Sequence, residues 1–152
     1  MVRLSKNPKM INIDAYLKDI CSYFNNRPDV GAAYLFGSYG TQYQTPLSDV
    51  DIAVLFIPGT ALELETELEI SGELTSIARE DDINLVILNK APITLQFEIL
   101  STGRLLCKKE FYLEDFHEYV CKRYADFKID LDRFNKEYDA VLRKVYLNDK
   151  SR

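Results

Sequence analysis

Two short groups of residues in the first third of the chain have the types and spacing needed for phosphoryl chemistry. Gly37 and Ser38 follow one apolar run, and after ten further residues Asp49 and Asp51 open a second apolar run. Alternate residues of a strand point to the same face, so the two carboxylates would lie about 6.6 Å apart along one side. Carboxylates bind divalent cations, and a glycine lets backbone approach a phosphate. The pattern predicts a nucleotidyl-transfer site, with Gly37 and Ser38 binding phosphate and Asp49 and Asp51 acting as metal ligands and catalytic residues.

The composition of the chain indicates that any catalytic chemistry depends on carboxylate side chains. His117 is the only histidine, which argues against a catalytic triad and a His-rich metal site. A net charge of −5 and a pI near 5.0 argue against direct binding of nucleic acid. No apolar run is long enough for a membrane span. The three cysteines form no C-x-x-C pair, which indicates a reduced, cytoplasmic protein.

The apolar pattern predicts alternating helices and strands that would hold these residues in place. A first helix begins near Asn12 or Asp14, and buried apolar runs alternate with amphipathic segments from there to Lys108. The predicted strands are 31–36, 48–56, 83–88 and 104–108, and the later helices are 62–79 and 91–101. We therefore predict an α+β fold with a mixed sheet of three to four strands flanked by helices.

The last third of the chain has a different pattern. Its apolar residues are spaced alternately by four and three positions, which is typical of a heptad seam on a long helix or a helix pair. The seam consists of Tyr124, Phe127, Leu131, Phe134, Tyr138, Val141 and Val145. It could pack on its own domain or form a partner surface. We predict a core at 1–110 and a C-terminal helical extension of the same domain at 111–152.

These motifs together resemble the minimal nucleotidyltransferases of the DNA polymerase-β superfamily. Gly37-Ser38 followed by Asp49-Val50-Asp51 matches the signature of that group, and the segment 84–92 is similar to the one that carries its third acidic residue. The segments 97–106 and 124–127 resemble the antitoxin branch that is paired with HEPN-domain toxins. The resemblance implies the nucleotidyltransferase fold, a two-ion Mg²⁺ site and ATP as substrate. It further implies transfer of AMP to a tyrosine of a HEPN-type ribonuclease toxin. From the seam pattern, we predict that the toxin binds through the C-terminal helical seam.

The sequence departs from the family pattern at two places. Thr41 and Gln42 stand where the family usually has an arginine and a glycine. Asn84 stands at the third carboxylate, where the family residue binds a metal and helps to deprotonate the attacking hydroxyl. An amide can offer an oxygen but cannot accept a proton. We include Asn84 among the catalytic residues and take Asp82, two residues earlier, as a possible substitute carboxylate.

Three functions remain open on the sequence. The first is an AMP-transferring antitoxin, in which the half-site at residues 37–51 is active. The second is a catalytically weak or inactive antitoxin that neutralises its toxin by binding alone, because Asn84 replaces the expected base. The third is a small-molecule nucleotidyltransferase of the aminoglycoside-modifying kind, which would need a second subunit to enclose its acceptor.

Overall fold

A four-stranded mixed sheet forms the centre of the molecule. The computed structural model describes the backbone of residues 10–150 and the side chains of residues 10–146. The strands lie in the order β3-β2-β1-β4, with β1 antiparallel to β2 and β4, and β2 parallel to β3. They are β1 Val30–Phe36, β2 Val50–Phe56, β3 Ile83–Ile87 and β4 Arg104–Lys108. The predicted α+β fold is confirmed.

Helices cover both faces of this sheet. They are α1 Leu17–Asn26, α2 Leu64–Ala78, α3 Ile93–Thr102 and α4 Tyr112–Lys150, and a 3-10 turn at Asp14–Tyr16 precedes α1. One face packs on α1 and α2, and the other packs on α3 and the first turns of α4. Burial on both sides explains why β1 and β2 read as nearly continuous apolar runs.

The second strand begins later than the sequence pattern predicts. The backbone N–H of Thr45 donates to Ser48 Oγ at 3.0 Å, and the Ser48 N–H donates to the Thr45 carbonyl at 3.0 Å. The turn leads into an isolated bridge at Ser48, and the continuous strand β2 starts at Val50 instead of residue 48. Asp49 therefore stands immediately before the strand, and Asp51 stands within it.

The long helix α4 leaves the core after its first third. Val120 is fully buried, and Tyr124 stacks on Phe97 with 3.8 Å between ring centroids. Beyond Tyr124 the seam residues are exposed to solvent: Phe127, Leu131, Phe134, Tyr138, Val141 and Val145. Packing on its own domain therefore accounts only for the start of the seam.

The predicted domain division stays a prediction. Helix α4 begins at Tyr112, close to the predicted boundary, while residues 1–9 and 151–152 of the predicted ranges lie outside the described residues. Within the described part of the chain, no helix is both long and apolar enough to cross a membrane.

Candidate active site

The register of the sheet places one of the predicted carboxylates between two other site residues. Asp51 on β2 pairs with Phe36 on β1 and with Asn84 on β3. Asp49 precedes the strand and is only 9% exposed. The crossover through α2 makes β3 parallel to β2, so the strands start at the same end of the sheet. The fold thus gathers three side chains that are up to 35 residues apart.

A single amide group joins the two carboxylates. Asn84 Nδ2 donates to Asp49 Oδ2 at 3.0 Å and to Asp51 Oδ1 at 3.1 Å. Two adjacent carboxylates repel each other, and the two N–H groups of the amide offset part of that repulsion. If the Asn84 amide were flipped, its oxygen would face the two carboxylates and three hydrogen-bond acceptors would lie together. Without a bound cation, the orientation with the nitrogen towards the carboxylates is therefore the stable one. A cation between the carboxylates would favour the opposite orientation, with the amide oxygen inward.

The environment of Asp51 disfavours its ionised form. Burial raises the pKa of the Asp51 carboxyl, and the hydrogen bond from Asn84 opposes that rise. The negative charge of Asp49 adds to the rise. A half-buried carboxylate of this kind is poised to gain a cation, because a positive charge would remove the cost of ionisation.

The backbone of Asp82 is hydrogen-bonded to the start of β2. Its carbonyl accepts a hydrogen bond from the Val50 N–H at 3.0 Å, which fastens the start of β2 to the chain that enters β3. Among the described residues, no group of three or more His, Cys, Asp or Glu side chains is arranged to hold a metal ion. Substitution of the third carboxylate by Asp82 stays a prediction.

Gly37 permits the close approach of the turn to Asp51. It has a φ of +77°, and a Cβ atom there would lie 2.3 Å from Asp51 Oδ2. Both the left-handed backbone and the lack of space exclude a larger residue. The glycine thus lets the end of β1 pack directly against the carboxylate, which is where a phosphate held by the turn would meet a bound cation.

Gly37→Ala should therefore destabilise the protein more than an ordinary glycine substitution at positive φ. We expect the free energy of unfolding to fall by about 3 kcal/mol, since strain and the clash with Asp51 both contribute. Gly59→Ala is the matched control: Gly59 has a φ of +85°, and no atom lies within 4 Å of the place where its Cβ would stand, so we expect a loss of about 1 kcal/mol. Urea unfolding measures both, and equal losses would show that Asp51 imposes no constraint on Gly37.

The turn after Gly37 is anchored by side-chain contacts that the sequence pattern did not predict. The Gln44 side chain accepts from the Gly40 N–H at 2.9 Å and donates to the Ile11 carbonyl at 2.8 Å. The Tyr39 hydroxyl accepts from the Ile13 N–H and donates to Asp14 Oδ1, each at 2.8 Å. These bonds fix the loop that carries Ser38, which is half-buried. The anchoring groups at residues 11–14 are distant in sequence, and no local pattern could have revealed them.

The side chains present fit a magnesium ion bound together with a nucleotide. Asp49 Oδ1 and Asp51 Oδ2 take no part in the bonds to Asn84, so each carboxylate retains an oxygen for a cation. Magnesium is commonly bound by one or two carboxylates, with substrate phosphates and water as the other ligands. A second ion would need a further ligand, and the predicted two-ion site stays a prediction.

The comparison with protein families agrees with this geometry. Residues 18–112 match the family model described as Polymerase beta, Nucleotidyltransferase. The chain belongs to this family. The match contains Gly37, Ser38, Asp49, Asp51 and Asn84, so the site lies within the family region.

Individual relatives include toxin–antitoxin proteins. The chain is 37% identical over 84 residues to the protein adenylyltransferase MntA of Shewanella oneidensis, an alignment that covers 54% of this chain and 57% of MntA. The chain thus spans little more than half the length of that curated relative. A crystal structure of a toxin–antitoxin with AMP-PNP matches with 28% identity and a TM-score of 0.63, covering 80% of this chain and 96% of that chain.

A further structure supports the fold alone. It is the tri-AMPylated Shewanella oneidensis HEPN toxin in complex with MNT antitoxin, which matches with 24% identity and a TM-score of 0.63. The match covers 83% of this chain and 98% of that chain. The sheet and its flanking helices are therefore shared with a protein of this branch.

Proposed function

We propose that this chain is a cytoplasmic, magnesium-dependent antitoxin that transfers AMP from ATP to a tyrosine of a HEPN-type ribonuclease toxin. The observation that carries the proposal is the pair Asp49 and Asp51, held by Asn84 on one side and contacted by Gly37 on the other. A cytoplasmic site agrees with the cysteines, since Cys21, Cys107 and Cys121 are all free thiols.

The reaction assigns a distinct role to each group. The acceptor oxygen forms a bond to the α-phosphorus of ATP, the bond from that phosphorus to the bridging oxygen breaks, and pyrophosphate leaves with the electron pair. Asp49 and Asp51 would hold the cation, which when bound neutralises charge on the phosphates. The turn at Gly37 and Ser38 would position the phosphates. Asn84 cannot take the proton of the acceptor, so the proton passes to water.

The relatives support the choice of acceptor and donor. MntA is a protein adenylyltransferase by name, and a 28% identical toxin–antitoxin structure contains AMP-PNP, an analogue of ATP. The resemblance to the antitoxin branch indicates a HEPN-type toxin as the acceptor. An acidic chain with a net charge of −5 also suits a basic ribonuclease partner better than a nucleic acid.

The direct test is the intact mass of a HEPN-type toxin that co-purifies with this chain from its native host. We expect the toxin to gain the mass of AMP when it is incubated with the wild-type chain, ATP and MgCl₂, and to lose ribonuclease activity in parallel. Omission of ATP, or of the divalent cation with EDTA present, is the control. A toxin that stays unmodified while its ribonuclease activity is neutralised would overturn AMP transfer.

That last outcome defines the second candidate, an antitoxin that acts by binding. The position of Asn84 favours it, because an amide occupies the place between the carboxylates and cannot serve as a base. Under this function, neutralisation requires a stoichiometric amount of the chain and is independent of ATP. Under transfer, a substoichiometric amount suffices, so a titration of ribonuclease activity separates the two.

Both candidates need a surface for the toxin, and we assign it to the exposed seam of α4. Phe134 and Tyr138 lie at its centre, 62% and 55% exposed, and their ring centroids lie 6.2 Å apart. Buried aromatic anchors dominate many protein interfaces. Unpaired apolar residues spaced by three and four positions fit a groove between helices of a partner.

Phe134→Ser combined with Tyr138→Ser should weaken toxin binding by about a hundredfold, since two anchors are lost. The folded chain should keep its stability because both side chains are solvent-exposed in the absence of a partner. Lys136→Ser is the control on the same turn, with an expected change of less than about twofold. Calorimetric titration of the toxin gives the affinities, and unchanged binding by the double variant would exclude the seam as the interface.

A further inference from the structure

A cavity of about 280 Å³ lies on the side of β1 away from the carboxylates. Gly37, Gly40 and Thr41 form one wall, and Thr102 and Arg104 form another. Leu35 pairs with Arg104 on β4, while the next residue, Phe36, pairs with Asp51 on β2. The end of β1 therefore separates Asp51 on one side from Arg104 on the other, and Gly37 borders both.

Arg104 is the only cationic side chain among the described residues that line this cavity. It is exposed, and it makes no ion pair or side-chain hydrogen bond with another described residue. By contrast, Arg27 is paired with Asp29 at 2.8 Å. A guanidinium is a bidentate donor suited to phosphate, so an unpaired one that borders a polar cavity indicates an anionic ligand.

The other polar groups of the cavity are largely committed to internal bonds. Thr41 Oγ1 donates to the Ser38 carbonyl at 2.6 Å, and Thr102 Oγ1 donates to the Glu98 carbonyl at 2.9 Å. The Gly40 N–H donates to Gln44. Arg104 is thus the main side-chain donor left for a ligand. Two of these bonds lie within the turn that forms the glycine wall of the cavity.

Asp14 is the acidic residue of the lining. Its Oδ1 accepts from the Tyr39 hydroxyl, which fixes the carboxylate at the cavity wall. Its charge repels an anion, so a phosphate would sit towards Arg104 and the glycine wall. Removing the charge of Arg104 should therefore weaken the binding of a phosphate, and removing the charge of Asp14 should strengthen it.

We infer that Arg104 binds the β- and γ-phosphates of the nucleotide and then the pyrophosphate that leaves; this rests on the proposed function. With the α-phosphate beside Asp49 and Asp51, the triphosphate tail would cross Gly37 and enter the cavity. When the bond from the α-phosphorus to the bridging oxygen breaks, negative charge develops on the leaving pyrophosphate. The guanidinium stabilises that charge, which makes Arg104 a catalytic residue of the transfer.

The test is calorimetric binding of ATP, AMP and inorganic pyrophosphate, each with MgCl₂, to the full chain. We expect Arg104→Gln to weaken the binding of ATP and of pyrophosphate by about tenfold. The affinity for AMP should stay within about twofold of the wild-type value. Arg104→Lys should lose less, because the charge remains. Asp14→Asn should tighten pyrophosphate severalfold while keeping the acceptor oxygen for Tyr39. Arg123→Gln, an exposed arginine on α4, is the control.

Each outcome either supports or overturns the assignment. Unchanged ATP and pyrophosphate affinities in Arg104→Gln overturn it, as does an equal loss for AMP, which would place the nucleoside in the cavity. Circular dichroism melting identifies a variant that has failed to fold, and Arg104→Lys then decides the question. If pyrophosphate binding depends on Arg104 but the toxin is never modified, the proposed function fails alone. If the toxin is modified and binding ignores Arg104, this inference fails alone.

Discussion

Replacing Asp49 and Asp51 together with asparagine is expected to lower the rate of AMP transfer at least about 1,000-fold. Asparagine has the same shape and keeps an oxygen that can accept from Asn84, so the local hydrogen bonds can persist. The variant lacks the two negative charges that would hold a divalent cation against the phosphates. The rate is measured as AMP incorporated into the toxin per unit time under single-turnover conditions.

The melting temperature of the same double variant provides a control for its folding, and its direction of change can be predicted. Burial raises the pKa of Asp51, so its contribution to stability is present at low pH and is lost as pH rises through the raised pKa. At neutral pH the ionised carboxylate costs stability, and the double variant should melt at a higher temperature than the wild type. Asp19→Asn with Asp126→Asn removes two exposed charges as a matched control. A transfer rate of the Asp49 and Asp51 double variant within about tenfold of the wild-type rate would show that neither aspartate is catalytic.

Asn84→Asp is expected to raise the rate of AMP transfer by about 100-fold to 1,000-fold. The new carboxylate would restore a base beside the acceptor, and general base catalysis contributes about that much. Without a base, the wild-type rate should follow ionisation of the acceptor tyrosine, rising about tenfold per pH unit below its pKa near 10. Asn84→Asp should flatten that dependence, which a pH–rate profile from about 6.5 to 9 will measure.

The folded state offers an independent check on this variant. Asn84→Asp would replace two favourable hydrogen bonds with repulsion among three carboxylates, so the protein should melt at a lower temperature in EDTA. MgCl₂ should recover the loss. Asn89→Asp, which alters an amide that bonds the backbone of Phe56 away from the site, serves as the control for a generic loss of an amide. An unchanged rate would mean that another group already accepts the proton.

Much of the fold could be predicted because its signals are local. The apolar runs that form β1 and β2 are bounded by glycine and proline, and the glycine–serine and Asp-x-Asp groups lie at their ends. Strand alternation predicted that Asp49 and Asp51 face the same way; Asp49 in fact precedes the strand, and both carboxylates accept a hydrogen bond from Asn84 Nδ2. The prediction of the start of β2 was wrong by two residues, because the Thr45–Ser48 turn depends on side-chain bonds.

The interactions of the site could not be predicted in the same way. Asn84 was recognised by its position relative to a family pattern, but its bonds to both carboxylates follow from a parallel register set by packing of α2. Arg104 lies 53 residues after Asp51 in the chain. Only the placement of β4 beside β1 brings it to the same end of the sheet. Long-range strand order has no short sequence signature.

The projecting part of α4 has a consequence for how long the free chain survives. Residues 125–146 lack the tertiary packing that stabilises most helices in water, and an unsupported helix of this length unfolds readily. Local unfolding of this segment would expose its peptide backbone to proteases. A partner that covers the seam would protect the segment from cleavage. The turnover of this protein would then report whether its partner is present, with unbound copies degraded first.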